Sequence, residues 1–140
     1  MTMNRKSMDL VPIGYVRSPY RERGDAPHQG RLAPAISEIV IKPEYSPGLF
    51  KIAKKKHIFV LCWFDRADRS RLSATPPHDR VERGVFATRS PDRPNPVSLS
   101  LVDLESVKGC VLTVRGLDAL DGTPVIDIKP YSEAIDTPGA

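Results

Sequence analysis

The sequence predicts a mainly β protein, a single-domain β-barrel of roughly seven strands with one short helix and long loops. Three observations carry that expectation. Fourteen prolines in 140 residues leave few stretches where a helix can run, because proline fixes φ and has no amide proton to donate. Short apolar runs recur between turn signals, at residues 10–16, 37–41, 58–64, 85–88, 97–104, 111–117 and 124–131. They show neither a strand–helix–strand rhythm nor an internal repeat, so a sheet closed on itself, antiparallel or mixed, is the simplest way to bury them.

The elements follow in order. Residues 1–9 are polar and expected to be a disordered tail, 10–135 to be the barrel domain, and 136–140 a C-terminal tail. The first strand, 10–16, is ended by Ser18-Pro19, and a charged, Pro/Gly-punctuated loop follows over 20–34. After the short strand 37–41, Ser46-Pro47 pairs an N-cap with proline at the first helical position. Leu49, Ile52 and Ala53 then recur at helical spacing, so a brief helix is expected, ending in Lys54-Lys55-Lys56. Residues 58–64 are continuously apolar, which predicts a strand covered on both faces. The loop at 65–83 is long enough to be functional or disordered. Residues 85–88 read as a strand entering a proline-rich loop. Val97, Leu99 and Leu101 alternate with Ser98 and Ser100 before the apolar phase moves to Val102 and Leu104, which predicts a bulge or barrel corner. Asp121-Gly122 is a turn signal. Beyond it Ile126 and Ile128 share one face, and Asp127, Lys129 and Tyr131 the other.

The net charge is +4, with 27 % charged and 40 % apolar residues. That balance suits an anionic partner without identifying one. Cys62 and Cys110 lie in apolar strands and read as small buried hydrophobes. With no Cys-x-x-Cys and no paired histidines, no metal site is expected. No apolar run resembles a signal peptide or a membrane span, so a cytoplasmic location is expected. Neither a phosphate-binding glycine loop nor a recognisable nucleophilic triad is present.

The segment 84–99 carries the most chemistry. Pro91, Pro94 and Pro96 stiffen it and exclude helix or central strand,. Arg89, Arg93, Asn95, Thr88 and Ser90 are thereby displayed on a pre-organised loop, which serves equally as a binding site or as a barrel corner. The stretch 120–124 offers a carboxylate, a hydroxyl and backbone amides, in either a ligand cradle or a plain tight turn. Asp65-Arg66 follows a buried strand directly, where sites tend to gather. Ser98 and Ser100 read as a solvated strand face, and the lysines at 54–56 as a solvated helix end. Asp127, Lys129 and Tyr131 are either an acid–base group or one side of a half-exposed strand.

Four segments together resemble one family. Ile13-Gly14-Tyr15-Val16-Arg17-Ser18-Pro19 comes first, then Ala26-Pro27-His28-Gln29-Gly30, then Gly84-Val85-Phe86-Ala87-Thr88-Arg89-Ser90-Pro91 with Arg93-Pro94-Asn95-Pro96. The last is Leu117-Asp118-Ala119-Leu120-Asp121-Gly122-Thr123-Pro124-Val125-Ile126-Asp127-Ile128-Lys129-Pro130-Tyr131. In this order they are similar to the TsaA-like (YaeB-type) family, the tRNA methyltransferase O proteins, in a short form without the C-terminal extension. The resemblance implies a homodimeric β-barrel that binds S-adenosylmethionine without a Rossmann glycine loop. It implies N6-methylation of the threonylcarbamoyl-adenosine beside the anticodon of tRNA, with no membrane or metal. The family's cofactor contacts fall on Gln29, Gly30 and Arg31, on Asp65 and Arg66, on Arg89, on Leu99, and on Asp121, Gly122, Thr123 and Pro124. Asp65-Arg66 differs from the histidine-containing version of some members, and Ser98 stands where many have glycine. Asp127 is the carboxylate expected to act as general base, with Lys129 and Tyr131 orienting it. Arg66, Arg69, Arg71, Arg80 and Arg83 are expected to form a phosphate-facing rim. The alternatives are an S-adenosylmethionine-binding sensor or module without catalysis, and a methyltransferase acting on a small molecule.

Overall fold

The computed structural model describes residues 6–22, 25 and 35–139. Its strands are β1 (Gly14–Arg17), β2 (Ile36–Ile41), β3 (His57–Trp63), β4 (Ser73–Ala74), β5 (Arg83–Gly84), β6 (Val97–Lys108), β7 (Val111–Arg115) and β8 (Pro124–Pro130), followed by the short helix α1 (Glu133–Asp136). Six of them close a barrel in the order β1-β2-β7-β6-β3-β8, while β4 and β5 form a separate ribbon within the long loop. All the pairings are antiparallel. Full closure removes the exposed edges that an open sheet would present.

The core is built from β-branched residues on the inward positions. Val16, Ile39, Ile58, Val60, Val102, Leu112, Val114 and Val125 are completely buried, with Leu117 and Ala119 sealing one end. Gly14 is required by a close approach: a Cβ there would collide with the carbonyl oxygen of Val40 on the neighbouring strand. The first strand begins later than expected and runs one residue further, Gly14–Arg17, and Leu10 and Val11 remain exposed.

Register decides the serines. Ser100 lies opposite Val60 and Ser98 opposite Cys62, both inward positions of β3. Ser98, Ser100, Val102 and Leu104 therefore share the inner side, and the expected solvated serine face is corrected. The outer side carries Val97, Leu99 and Leu101, against Trp63, Leu61 and Phe59. Consequently β3 is sealed on one face and only half-covered on the other. The bulge falls later than expected, with Glu105 as the extra residue between the Leu104 and Ser106 pairs. A second bulge makes Ile126 the unpaired residue between Val125 and Asp127,.

Two local expectations fail for backbone reasons. The helix around residue 47 is instead a pair of 3-10 turns, Pro43–Leu49 and Ile52–Lys54. Pro47 removes a donor within the first, and Lys51 in the left-handed region (φ 67°) separates the two,. The strand expected at 85–88 is also a 3-10 turn, Val85–Ala87, which buries Val85 and leaves Phe86 83 % exposed. No described helix is long and apolar enough to cross a membrane.

Candidate functional site

At one end of the barrel the chain leaves β3 at Phe64, whose amide donates to the Pro96 carbonyl at 2.8 Å. That bond ties the start of the long loop to the end of the proline loop. The β4–β5 ribbon, the 3-10 turn at 85–87, the proline loop and the crossing segment 117–123 then wall a cleft of about 980 Å³. Asp65, Arg66, Arg89 and Thr123 line it together, as do Asp118 and Phe86. Four sequence-predicted contacts from three distant segments thus share one concavity. Its size lies at the upper end of the range of small-molecule sites.

The proline loop is organised from within. Arg93 Nη1 donates to the carbonyl oxygens of Thr88 (3.0 Å) and Ser90 (3.2 Å). Thr88 Oγ1 donates to the Val85 carbonyl and accepts the Ser90 amide, and Ser90 Oγ accepts the Asp92 amide. From outside, Arg69 clamps the loop through Nε to the Pro94 carbonyl (2.7 Å) and Nη2 to Asn95 Oδ1 (3.2 Å), while its guanidinium lies 5.0 Å from the Trp63 ring centroid. Arg93, Asn95 and Arg69 are thereby occupied. Arg89 is exposed and its side chain has no hydrogen bond or ion pair to any described residue. It is the arginine of this loop left available for a ligand.

The turn at 121–122 behaves differently. Asp121 Oδ1 accepts the Ser18 amide at 3.0 Å, and Ser18 Oγ donates to the Ala119 carbonyl at 2.8 Å. The Gly122 amide donates to the Val16 carbonyl, and Gly122 adopts φ 85°, which favours glycine,. Asp121 and Gly122 face a shallower depression beside Arg17, Ser18 and Glu38, not the cleft. Pro124 starts β8 opposite Tyr15 and lines neither.

The remaining expected site residues lie elsewhere. Leu99 is 56 % exposed on the outer barrel face. Asp127 and Lys129 pair with each other there at 3.0 Å, and Asp127 Oδ1 also accepts the Ile128 amide. Tyr131 packs edge-on against Phe59 and His57. Within one chain the acid–base group therefore does not face the cleft, because β8 points these side chains outward. Of the expected arginine rim, Arg66 is held by the carbonyl oxygens of Arg21 and Asp121, and Arg83 pairs with Asp79 at 2.7 Å. Arg71 interacts electrostatically with the Asp68 carboxylate, and Arg80 has no side-chain partner among the described residues. Gln29, Gly30 and Arg31 lie outside the described residues.

Asp118 was not singled out by sequence reasoning. It is half-buried in the cleft wall and accepts a hydrogen bond from Ser100 Oγ at 3.1 Å. Burial raises its carboxyl above the ordinary carboxylate range, against the opposing effect of Ser100,. A lone acid within Leu117-Asp118-Ala119-Leu120 was the available signal, since an acid in a buried apolar run calls for a partner. Behind it, burial pushes the Cys62 thiol up to about 12. That excludes Cys62 as a nucleophile. No cluster of His, Cys, Asp or Glu that would hold a metal ion occurs among the described residues.

The chain is similar to several known proteins. Residues 15–137 match the family described as tRNA-methyltransferase O N-terminal domain. An S-adenosyl-L-methionine-binding protein of Archaeoglobus fulgidus is 55 % identical over 129 residues, which cover 92 % of this chain and 93 % of that protein. A longer protein of the same archaeon, bearing the name "Probable S-adenosyl-L-methionine-binding protein", is 54 % identical over 94 % of this chain, which spans only 36 % of its length. The crystal structure of TrmO from Pseudomonas aeruginosa superposes with a TM-score of 0.78 at 36 % identity, covering 94 % of this chain and 59 % of that one.

Proposed function

The chain belongs to the tRNA-methyltransferase O N-terminal domain family, and from that premise we propose that it binds S-adenosylmethionine in the cleft and acts as a methyltransferase on tRNA. The observation that carries the reading is the convergence of Asp65, Arg66, Arg89 and Thr123 on one concavity of about 980 Å³. The donor set fits the ligand: carboxylates for its cationic groups, an arginine for its carboxylate, and an exposed aromatic, Phe86, for its purine. When bound, S-adenosylmethionine supplies a methyl group activated by its sulfonium.

The protein's own contribution is positioning, because in-line displacement depends on alignment more than on covalent help. The proposed acceptor is N6 of the threonylcarbamoyl-adenosine next to the anticodon, a ureido N–H that must lose its proton. A carboxylate within hydrogen-bond reach contributes roughly a hundredfold or more to such a step. Asp127 is our candidate, oriented by Lys129 and Tyr131. It reaches a cleft only across an interface between two chains. A two-fold homodimer supplies one: the outer stripe of Phe59, Leu61, Trp63, Val97, Leu99 and Leu101 is apolar and half-covered, and covering it with a second copy buries Leu99 and the Asp127–Lys129 pair together. Light scattering giving a monomer mass at micromolar concentration contradicts this arrangement. A cytoplasmic setting follows from a tRNA substrate.

Arg80, which has no side-chain partner among the described residues, and Arg71, beside Asp68, suit phosphate contact, so tRNA affinity should fall steeply with salt. The test is incubation with labelled S-adenosylmethionine and unfractionated tRNA, followed by nucleoside analysis. Label in methylated threonylcarbamoyl-adenosine supports the enzyme. Cofactor binding without transfer to any tRNA favours a binding module or a small-molecule methyltransferase, a reading consistent with the acid–base group lying outside the cleft of a single chain.

A further inference from the structure

We propose that Asp118 receives a positive centre of the ligand bound in the cleft, and that Ser100 positions its carboxylate for that contact. This rests on the reading that the cleft takes S-adenosylmethionine, which carries two such centres, an α-ammonium and a sulfonium. Asp118 is the half-buried acid of the wall whose charge no described residue balances. Its side chain accepts a hydrogen bond from the neutral Ser100 hydroxyl, and Ser100 is itself 9 % exposed. The Cys62 thiol behind it is uncharged. Around the cleft, Arg83 and His78 attend Asp79, and Arg66 is occupied by backbone carbonyls. Asp92 caps the Asp68 amide, Asp65 is exposed, and Arg89 stands exposed in the proline loop.

An uncompensated acid removed from water opposes folding. Burial accordingly favours its protonated form in the free protein. A cation arriving from the ligand reverses that preference and draws its binding strength from the same desolvation, since a charge pair interacts more strongly away from water. The raised carboxyl follows from this placement; it does not by itself define the site.

Calorimetry on the full chain tests the assignment with three ligands: S-adenosylmethionine, S-adenosylhomocysteine, which lacks the sulfonium charge, and methylthioadenosine, which lacks both charges. Asp118→Asn should weaken the first by at least tenfold and leave methylthioadenosine unchanged. An equal loss for S-adenosylhomocysteine identifies the ammonium as the partner; a loss confined to S-adenosylmethionine identifies the sulfonium. Unchanged affinity for all three, or the same loss for all three, overturns the proposal. The variant should unfold at a temperature no lower than wild type at neutral pH, which separates lost binding from lost folding.

Wild-type affinity should fall as pH drops into the range where Asp118 protonates, and Asp118→Asn should lack that fall although Asp65, His78, Asp79 and Asp92 still face the cleft. Ser100→Ala removes a hydrogen bond that favours the charged form, so it should move the fall to higher pH. A profile identical to wild type overturns the role of Ser100. Failure of the wild-type protein to bind S-adenosylmethionine at all overturns the underlying reading instead.

Discussion

The proline loop and the turn at residues 121–122 are built alike in sequence, each a short run of polar residues punctuated by Pro or Gly, but they use their side chains differently. In the proline loop Arg93 satisfies two carbonyl oxygens and the hydroxyls cap neighbouring amides, so the loop holds itself and Arg89 is left over. In the turn, Asp121 Oδ1 accepts the Ser18 amide, so the one charged group there holds the backbone. A motif's chemistry thus divides into groups that hold the backbone and groups that stay unoccupied. Only the hydrogen-bond partners reveal which is which.

That contrast can be broken by substitution. The largest effect on stability should come from Asp121→Ala, which strands the part-buried Ser18 amide and should cost about 1–3 kcal/mol; chemical denaturation measures it. An unchanged midpoint would return Asp121 to the pool of available ligand groups. Arg93→Ala should cost about 1 kcal/mol, since its two carbonyl contacts are part-buried and replaceable by water, and should raise proteolytic nicking within 88–96. Arg89→Ala should change stability by less than about 0.5 kcal/mol yet weaken S-adenosylmethionine binding by about 1–3 kcal/mol, as calorimetry would read it. Equal cofactor affinities for Arg89→Ala and wild type would sink the division of labour.

The smallest effect concerns pH. Because the folded-state carboxyl of Asp118 is raised, the folded protein holds more protons than the unfolded chain between the ordinary carboxylate range and that raised value. Stability from this group therefore falls as pH rises through that window. Asp118→Asn should flatten the pH dependence of the melting temperature there, and a steeper dependence in the variant would contradict the placement of Asp118.

The barrel was legible because β-branched runs at 37–41, 58–64 and 111–117 admit few alternatives to strands. The serine phase of β6 was not. Ser98 and Ser100 look solvated beside Val97, Leu99 and Leu101, but pairing with Val60 and Cys62 sets the inward face, and that register is nonlocal. Arg89, Asp65, Arg66 and Thr123 were expected as cofactor contacts through the family resemblance, and all four line one cleft. The resemblance also pointed to Leu99, Asp121 and Pro124, whose positions outside the cleft no local pattern conveys. Asp118 was hidden for the opposite reason: its significance arises from what surrounds it in space, and the β4–β5 ribbon opposite it is too short to register as strands.

The Cys62 thiol has one more consequence. Alkylating electrophiles, of which a methyl sulfonium is one, attack thiolates far faster than thiols. With its pKa raised to about 12, chiefly by burial and to a smaller extent by the nearby Asp118, Cys62 is ionised to only about one part in 10⁵ at pH 7. The interior next to the cleft is therefore chemically quiet, and the folded protein resists modifying itself. Brief treatment with iodoacetamide should leave Cys62 unlabelled in the native state and label it once the barrel is unfolded.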